Sequence, residues 1–179
     1  MNGAAHIDLI EADREVTIPA AVVLERTVDP AKKWALPHWQ AYAVVTGSHI
    51  RRHDQQVLIH DDGIRCRYFW SGLTLQLYKD GSEGYWYNLL SDRPYLFVIC
   101  DGEQGDMAVE PAFLTANQDE ATGYMEADRL VLSAPMPADI CAVVERYVLA
   151  HYQPEQKKKR QRREWAAESD YAKRTSQTR

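Results

Sequence analysis

The chain has 179 residues, of which 45% are hydrophobic and 26% are charged, the balance of a globular protein. That length suits one well-buried domain with a tail, and it is short for two independent cores. No apolar run approaches the ~20 residues that a membrane-spanning helix needs, so we expect no membrane span.

The first residues carry no basic start followed by an apolar stretch, so we expect no secretory signal and a cytoplasmic protein. Cys66, Cys100 and Cys141 lie far apart in the sequence, each among apolar or aromatic neighbours. An odd number of such cysteines is typical of buried thiols in a reducing compartment.

Charge is divided unevenly along the chain, although the net charge is only −5. Residues 157–179 hold nine basic and three acidic side chains, so the rest of the chain carries 12 basic and 23 acidic ones. We expect an exposed basic tail over residues 155–179, suited to an acidic protein partner, to nucleic acid or to an anionic membrane surface, or serving only as a solubilising segment. The acidic body would repel a polyanion, which favours a protein partner or plain solvation over nucleic acid. The clustered cations are Lys157, Lys158, Lys159, Arg160, Arg162 and Arg163.

The N-terminal part predicts strands that begin near Glu15, after a loosely ordered segment at residues 1–14. "EVTIPAAVVLERTV" is rich in β-branched side chains, which predicts a strand with an edge or a bulge at Pro19. Two prolines and two tryptophans then predict a loop anchored by Trp34 and Trp39. "AYAVVTG" predicts the next strand, which ends at Gly47.

The middle of the chain predicts a series of hairpins. "VLIHDDG" is a strand that ends in an Asp-Gly turn, where His60 to Asp62 are expected to serve the turn. "IRCRYFWSGLTLQL" alternates between apolar and polar positions on both sides of Gly72. "EGYWYNLL" and "PYLFVIC" are predicted as two strands joined by "SDRP", with Tyr85 and Tyr87 on one face of the first.

The last part of the chain predicts helices packed on the sheet. Asn117 followed by Glu120 indicates the start of a short helix, and "RLVLSA" returns as a strand. A longer helix is predicted from about Pro137 to Tyr152. We therefore expect a single α+β domain over residues 15–154, mainly antiparallel β and curled into a barrel or sandwich-like body, with a packed C-terminal helix. The apolar stripe of that helix is Ile140, Val143, Val144, Tyr147 and Val148.

Motifs that carry known chemistry are missing from the sequence. It has no glycine-rich phosphate loop, no Cys-x-x-Cys and no His-Glu-x-x-His. His49 and His53 have the spacing of two metal ligands on a helix, but their flanks favour a loop and a third ligand is not evident. We therefore predict no catalytic residue, no metal site and no cofactor.

Five residues form the candidate binding surface that the sequence offers: Trp34, Trp39, Glu83, Tyr85 and Asn88. Aromatic rings at this density can stack on a ligand, although cross-strand ring pairs more often stabilise a sheet. Glu83, Tyr85 and Asn88 stand close together and are more polar than a core demands.

Several short motifs occur in a familiar order between about residues 16 and 163: "VVLER", a tryptophan-rich loop, Glu-x-Tyr-x-x-Asn-Leu, Thr-Ala followed by Glu-Ala-x-x-Tyr, Met-Pro and a basic end. In this order they resemble an uncharacterised proteobacterial family of unknown function. Members are often encoded beside molybdenum-dependent formate dehydrogenases and their maturation factors, which implies an accessory or assembly role. The matching positions are Glu25, Arg26, Trp34, Trp39, Glu83, Tyr85, Asn88, Thr115, Ala116, Glu120, Ala121, Tyr124, Met136 and Pro137.

Three functions remain open from the sequence. The first is a non-enzymatic cytoplasmic accessory protein that binds a protein partner, which the resemblance implies is a molybdoenzyme or a maturation factor. The second is a small-molecule or cofactor-binding module that uses the Trp34 and Trp39 loop together with the Tyr85 strand. The third is nucleic-acid binding through the basic tail.

Overall fold

The computed structural model describes residues 16–32, 34–47, 50 and 55–153. Within them the chain forms seven strands and three α-helices, with a short 3-10 turn at Lys79–Gly81 before the first helix. The elements in chain order are β1 (Val16–Thr27), β2 (His38–Thr46), β3 (Gln55–Asp61), β4 (Arg65–Leu77), α1 (Ser82–Leu89), β5 (Tyr95–Asp101), β6 (Glu110–Thr115), α2 (Gln118–Glu126), β7 (Leu130–Pro135) and α3 (Ala138–His151).

The seven strands make one sheet in the order β2-β1-β4-β6-β5-β7, and β3 pairs with β4 outside this path. Every pairing is antiparallel except the short parallel contact between β4 and β6. β2 and β7, at opposite ends of the order, approach each other, so the sheet curls into a nearly closed barrel. The predicted α+β class with mainly antiparallel strands is confirmed. The predictions for residues 1–14 and for the basic tail at 155–179 lie outside the described residues.

β1 is the central strand of one half of the barrel, because it pairs with β2 on one edge and with β4 on the other. Pro19 has no backbone N–H to donate, and it lies just beyond the β2 ladder, which begins at Ala20. The β1–β4 register shifts between Ala20 and Val22, and the opposing Gly72 has a φ of +92°, a conformation that glycine adopts most easily. The bulge therefore lies beyond Ala20 and not at Pro19, where it was predicted, since Pro19 itself pairs in register with Thr74.

α3 packs against one end of the barrel, as its sequence stripe predicts. All five stripe residues are buried and belong to the same core cluster as the inward side chains of β1. The Thr46 hydroxyl at the end of β2 lies 3.2 Å from the Asp139 carboxylate in the first turn of α3. We call this end the α3 end and the opposite one the Trp39 end. No described helix has the length and apolar character needed to cross a membrane.

The strand predicted over "EGYWYNLL" is wrong, because these residues form most of the helix α1. Its buried positions include Ser82, Tyr85 and Asn88, which are spaced by three residues and so share one face of a helix. Aromatic residues favour strands in isolation, but tertiary packing overrides that propensity here. The predicted hairpin is therefore a helix followed by the strand β5.

The turn between β3 and β4 behaves as its sequence predicts. The Asp61 carboxylate accepts from the backbone N–H of Gly63 at 2.9 Å, and the Asp62 carboxylate accepts from those of Ile64 and Arg65 at 3.0 and 2.7 Å. These backbone donors lower the pKa of Asp62 to about 2. The two aspartates hold the turn, and His60 lies 3.4 Å from Asp62.

We expect the variant Asp62→Asn to isolate the contribution of this one carboxylate to the pH dependence of stability. Because the folded pKa lies below the unfolded value of ~3.9, the charged form stabilises the fold above that value, and the stabilisation is lost as the pH falls toward 2. The wild type should therefore be more stable than the variant at neutral pH, and the gap should close in acid. Urea unfolding of both proteins across this pH range measures it, and a gap that does not change with pH would contradict the assignment.

A second prediction concerns two glycines in helices. A Cβ atom on Gly84 of α1 would lie 2.0 Å from the side-chain oxygen of Asn117, which caps α2, whereas a Cβ on Gly123 of α2 would meet nothing within 4 Å. Gly84→Ala should destabilise the fold by about 1–3 kcal/mol through overpacking. Gly123→Ala should stabilise it by about 0.5–1 kcal/mol, because alanine favours helix.

Chemical denaturation of the two alanine variants measures both effects. Gly123→Ala is the matched control, since the same methyl group is added in a helix without a neighbour. Equal stability of the two variants would show that α1 and α2 do not approach as closely as described.

Candidate functional site

Trp39 lies in β2 and is 2% exposed, so it is a core residue that fastens a loop. Its backbone N–H donates to the side chain of Gln104 at 2.6 Å, and the Gln104 amide donates back to its carbonyl at 2.9 Å. The indole N–H donates to the carbonyl of Asp106 at 2.8 Å, and the ring lies 5.8 Å from that of Tyr68. These contacts hold residues 102–109 across the Trp39 end.

Tyr85 and Asn88 occupy the buried face of α1, where both make structural contacts. The Tyr85 hydroxyl accepts from the backbone N–H of Tyr78 at 3.1 Å, and burial raises its pKa to about 12. The Asn88 amide donates to the carbonyls of Tyr95 and Ala116 at 2.7 and 2.8 Å, and its oxygen accepts from the N–H of Tyr95 at 3.0 Å. Asn88 thereby ties α1 to β5 and to the end of β6.

Glu83 and Trp34 are the two exposed members of the predicted surface. Trp34 is 86% exposed in the segment between β1 and β2. Glu83 lies on the outer side of α1, where its carboxylate is 3.4 Å from the hydroxyl of Tyr152. Glu83 therefore stands at the junction of α1 and α3.

The structure does not bring the five predicted residues to one place. Trp39 pairs with Arg26 near the end of β1, whereas α1 follows Leu77, which pairs with Val16 at its start. These points are roughly 30 Å apart along β1. Trp39 therefore belongs to one end of the barrel and the three α1 residues to the other, and the six tail cations lie outside the described residues.

Of the three cysteines predicted to be buried, Cys66 and Cys100 are buried and Cys141 is half-buried, and none of the three forms a disulfide. Burial raises the pKa of Cys100 to about 12, so this thiol stays protonated at neutral pH. The described residues contain no group of three or more histidine, cysteine, aspartate or glutamate side chains placed to hold a metal ion.

A different surface emerges on the outside of β2, β1, β4 and β3, which we call the outer face. Val22 and Leu24 point into the core, so Val23 and Glu25 point outward. Directly opposite residues share a face of the sheet, which places a row of apolar side chains across all four strands. This row is Ala43, Val23, Phe69 and Val57 in the order of the strands.

A polar row lies beside the apolar one, one side-chain repeat of roughly 7 Å along the strands. Glu25 at its centre is 4% exposed, and both of its oxygens are used. Gln40 donates to one oxygen and Arg67 Nε donates to the other, each at 2.6 Å. Burial raises the pKa of Glu25, but the donors outweigh it and the pKa is lowered, so the carboxylate is charged at neutral pH. The row is Gln40, Glu25, Arg67 and His60.

Tyr42 completes the outer face beside this ion pair. The β1–β2 register shifts between Val23 and Leu24, and Tyr42 is the extra residue on β2. Its ring centre lies 3.9 Å from the guanidinium carbon of Arg67, a cation–π contact. The bulge therefore places an aromatic ring, half-exposed, over a guanidinium that is already paired with a buried carboxylate.

Sequence reasoning singled out none of Tyr42, Gln40 and Arg67. Glu25 entered only as a position of the family pattern. An available signal was a charged residue in the middle of an apolar strand, since such a residue needs a partner when it is buried. The partner cannot be named without the register of the neighbouring strands.

Replacement of Arg67 tests the ion pair. Arg67→Met leaves the Glu25 carboxylate buried beside one donor, and it should destabilise the fold by about 2 kcal/mol, less than for a fully buried pair because the Arg67 side chain is 25% exposed. The double variant Glu25→Gln, Arg67→Met removes both charges and should recover most of that loss. Urea unfolding of Arg67→Met, of Glu25→Gln and of the double variant measures the coupling between the two side chains. If the losses of the single variants simply add in the double variant, the ion pair is contradicted.

Comparison with known proteins identifies a family of unknown function. The model of a protein family of unknown function, DUF3305, matches residues 19–162. Neither a search of curated proteins nor a search of solved structures found a match. The resemblance to a family of unknown function is thereby confirmed over nearly the whole described body. The chain belongs to the DUF3305 family of proteins of unknown function.

Proposed function

We propose that this chain is a non-enzymatic accessory protein that binds another protein through its outer face. The observation that carries the proposal is the apolar row across four neighbouring strands, bordered by exposed side chains. Tyr42, Val45 and Val57 on this face are 50%, 37% and 38% exposed. Val23 in the middle of the row is only 7% exposed, so the accessible apolar surface of this face lies at Tyr42, Val45 and Val57. Exposed apolar side chains with a tyrosine and an arginine beside them are typical of protein interaction sites.

The position of the helices supports the choice of this face. α2 packs against β5, β6 and β7 on the other half of the barrel, where Phe113 and Tyr124 form an edge-to-face ring pair at 4.9 Å. α3 packs its stripe into the core at one end. Among the described residues, α2 and α3 therefore pack away from the outer face.

The resemblance described above makes a molybdenum-dependent formate dehydrogenase, or a factor that matures it, the first partner to test. The tail cations would form a second contact, because a cluster of six basic side chains is complementary to an acidic partner. We infer that the outer face supplies most of the affinity and that the tail raises the association rate. The contribution of the tail should therefore depend on salt.

Val57→Arg tests the outer face directly. It places a charge in the apolar row on the edge strand β3, where it should weaken binding to purified formate dehydrogenase at least about tenfold, since an unpaired charge must then be desolvated. Leu149→Arg is the matched control, because Leu149 is 71% exposed and belongs to α3, not to the strands of the outer face. Biolayer interferometry with the immobilised full chain gives both affinities.

Deletion of residues 157–179 should weaken binding at low salt and flatten its salt dependence. The proposal fails if the wild type binds no formate dehydrogenase or maturation factor at low salt. It also fails if Val57→Arg and Leu149→Arg bind as the wild type does, since the outer face would then not be the contact.

A further inference from the structure

The Arg67 side chain is held from two sides before any partner arrives. Its Nε donates to Glu25 at 2.6 Å, and its guanidinium lies over the Tyr42 ring at 3.9 Å. Glu25 in turn is fixed by Gln40, so its carboxylate cannot turn away without losing a second hydrogen bond. An arginine held in this way has little rotamer freedom left to lose when it binds.

The terminal end of the guanidinium makes no hydrogen bond to the described residues. Among the described residues, the hydrogen bonds of the Arg67 side chain run through Nε, and the two terminal nitrogens donate to none of them. The side chain is 25% exposed, so part of it can be reached by water or a partner. Two parallel N–H groups on a planar guanidinium match the two oxygens of a carboxylate.

The surroundings favour a carboxylate with apolar neighbours. The apolar row begins roughly 7 Å from Arg67 along the strands, the distance between alternate residues of an extended peptide. Glu25 and Asp62 both act on the charge of Arg67, and Arg65 lies one side-chain repeat away on the same face of β4. The Glu25 oxygens are already occupied. A partner carboxylate would approach the guanidinium from the opposite side to Glu25.

We propose that Arg67 is the anchor of the outer face and that it takes an aspartate or glutamate side chain of the partner, next to an apolar side chain that packs on the row of Ala43, Val23, Phe69 and Val57. This inference rests on the proposed function and adds the chemistry of the partner. Tyr42 and Glu25 are positioning residues, since they orient the guanidinium without contacting the partner's carboxylate.

Selection from a random-peptide phage library on the immobilised full chain tests the inference. The wild type should enrich peptides with an acidic residue next to, or two places from, an apolar one. The double variant Glu25→Gln, Arg67→Met removes both charges of the ion pair. Its urea unfolding is measured first, to show that it folds. Arg146→Met, the same change at an exposed arginine on α3, is the matched control.

The best wild-type peptide is then synthesised with its acidic residue and with the corresponding amide. The wild type and Arg146→Met should both bind the acidic form at least about tenfold more tightly than the amide, and the double variant should bind the two forms alike. The basic tail is present in all three proteins, so its attraction for acidic peptides cancels in the comparison.

Peptides without acidic residues, no enrichment on the wild type, or an equal preference for the acidic form in the double variant would each overturn the inference. Failure of this inference can be told apart from failure of the proposed function, because the two are measured with different ligands. If formate dehydrogenase binding is lost in Val57→Arg while the peptide preference ignores Arg67, the outer face binds a partner without a carboxylate anchor.

Discussion

β1 determines the rest of this fold because it is buried on both faces and paired on both edges. Its inward residues fill the barrel, and its outward residues Ala21, Val23 and Glu25 are also buried. A strand in this position can hold small or apolar side chains without difficulty, but a carboxylate must be given donors. Glu25 therefore requires a donor from each neighbouring strand, and Gln40 on β2 and Arg67 on β4 meet that requirement.

Much of the architecture was predictable because its patterns are local. Alternation along β4, the apolar stripe of α3 and the Asn117 cap of α2 each depend on residues within one element, and each is found as expected. The closure of the sheet and the crossing from β4 to β6 depend on contacts between distant segments. Sequence periodicity carries no information about such pairings, so barrel and sandwich stayed equal alternatives.

α1 shows where local reasoning fails. Three aromatic residues in "EGYWYNLL" favour a strand, yet Asn88 supplies from a helix the hydrogen bonds that the first residue of β5 needs. Gly81 allows the same helix to start beneath the Tyr85 ring, since a Cβ there would lie 2.7 Å from the phenol oxygen. Neither condition is visible until the helix is placed beside β5, which is why Tyr85 and Asn88 looked too polar for a core.

The candidate site was less predictable than the fold, and the reason is the register of the strands. Gln40 and Arg67 follow Glu25 by 15 and 42 positions in the sequence, and the three side chains meet only because two strand ladders align them. Tyr42 is the extra residue of the β2 bulge, and its ring therefore lies on the outer face against the guanidinium of Arg67. An ion pair at this depth gives little net stability, since desolvation offsets much of its attraction. What it does supply is a fixed direction for Arg67, because the guanidinium is held between the Glu25 carboxylate and the Tyr42 ring.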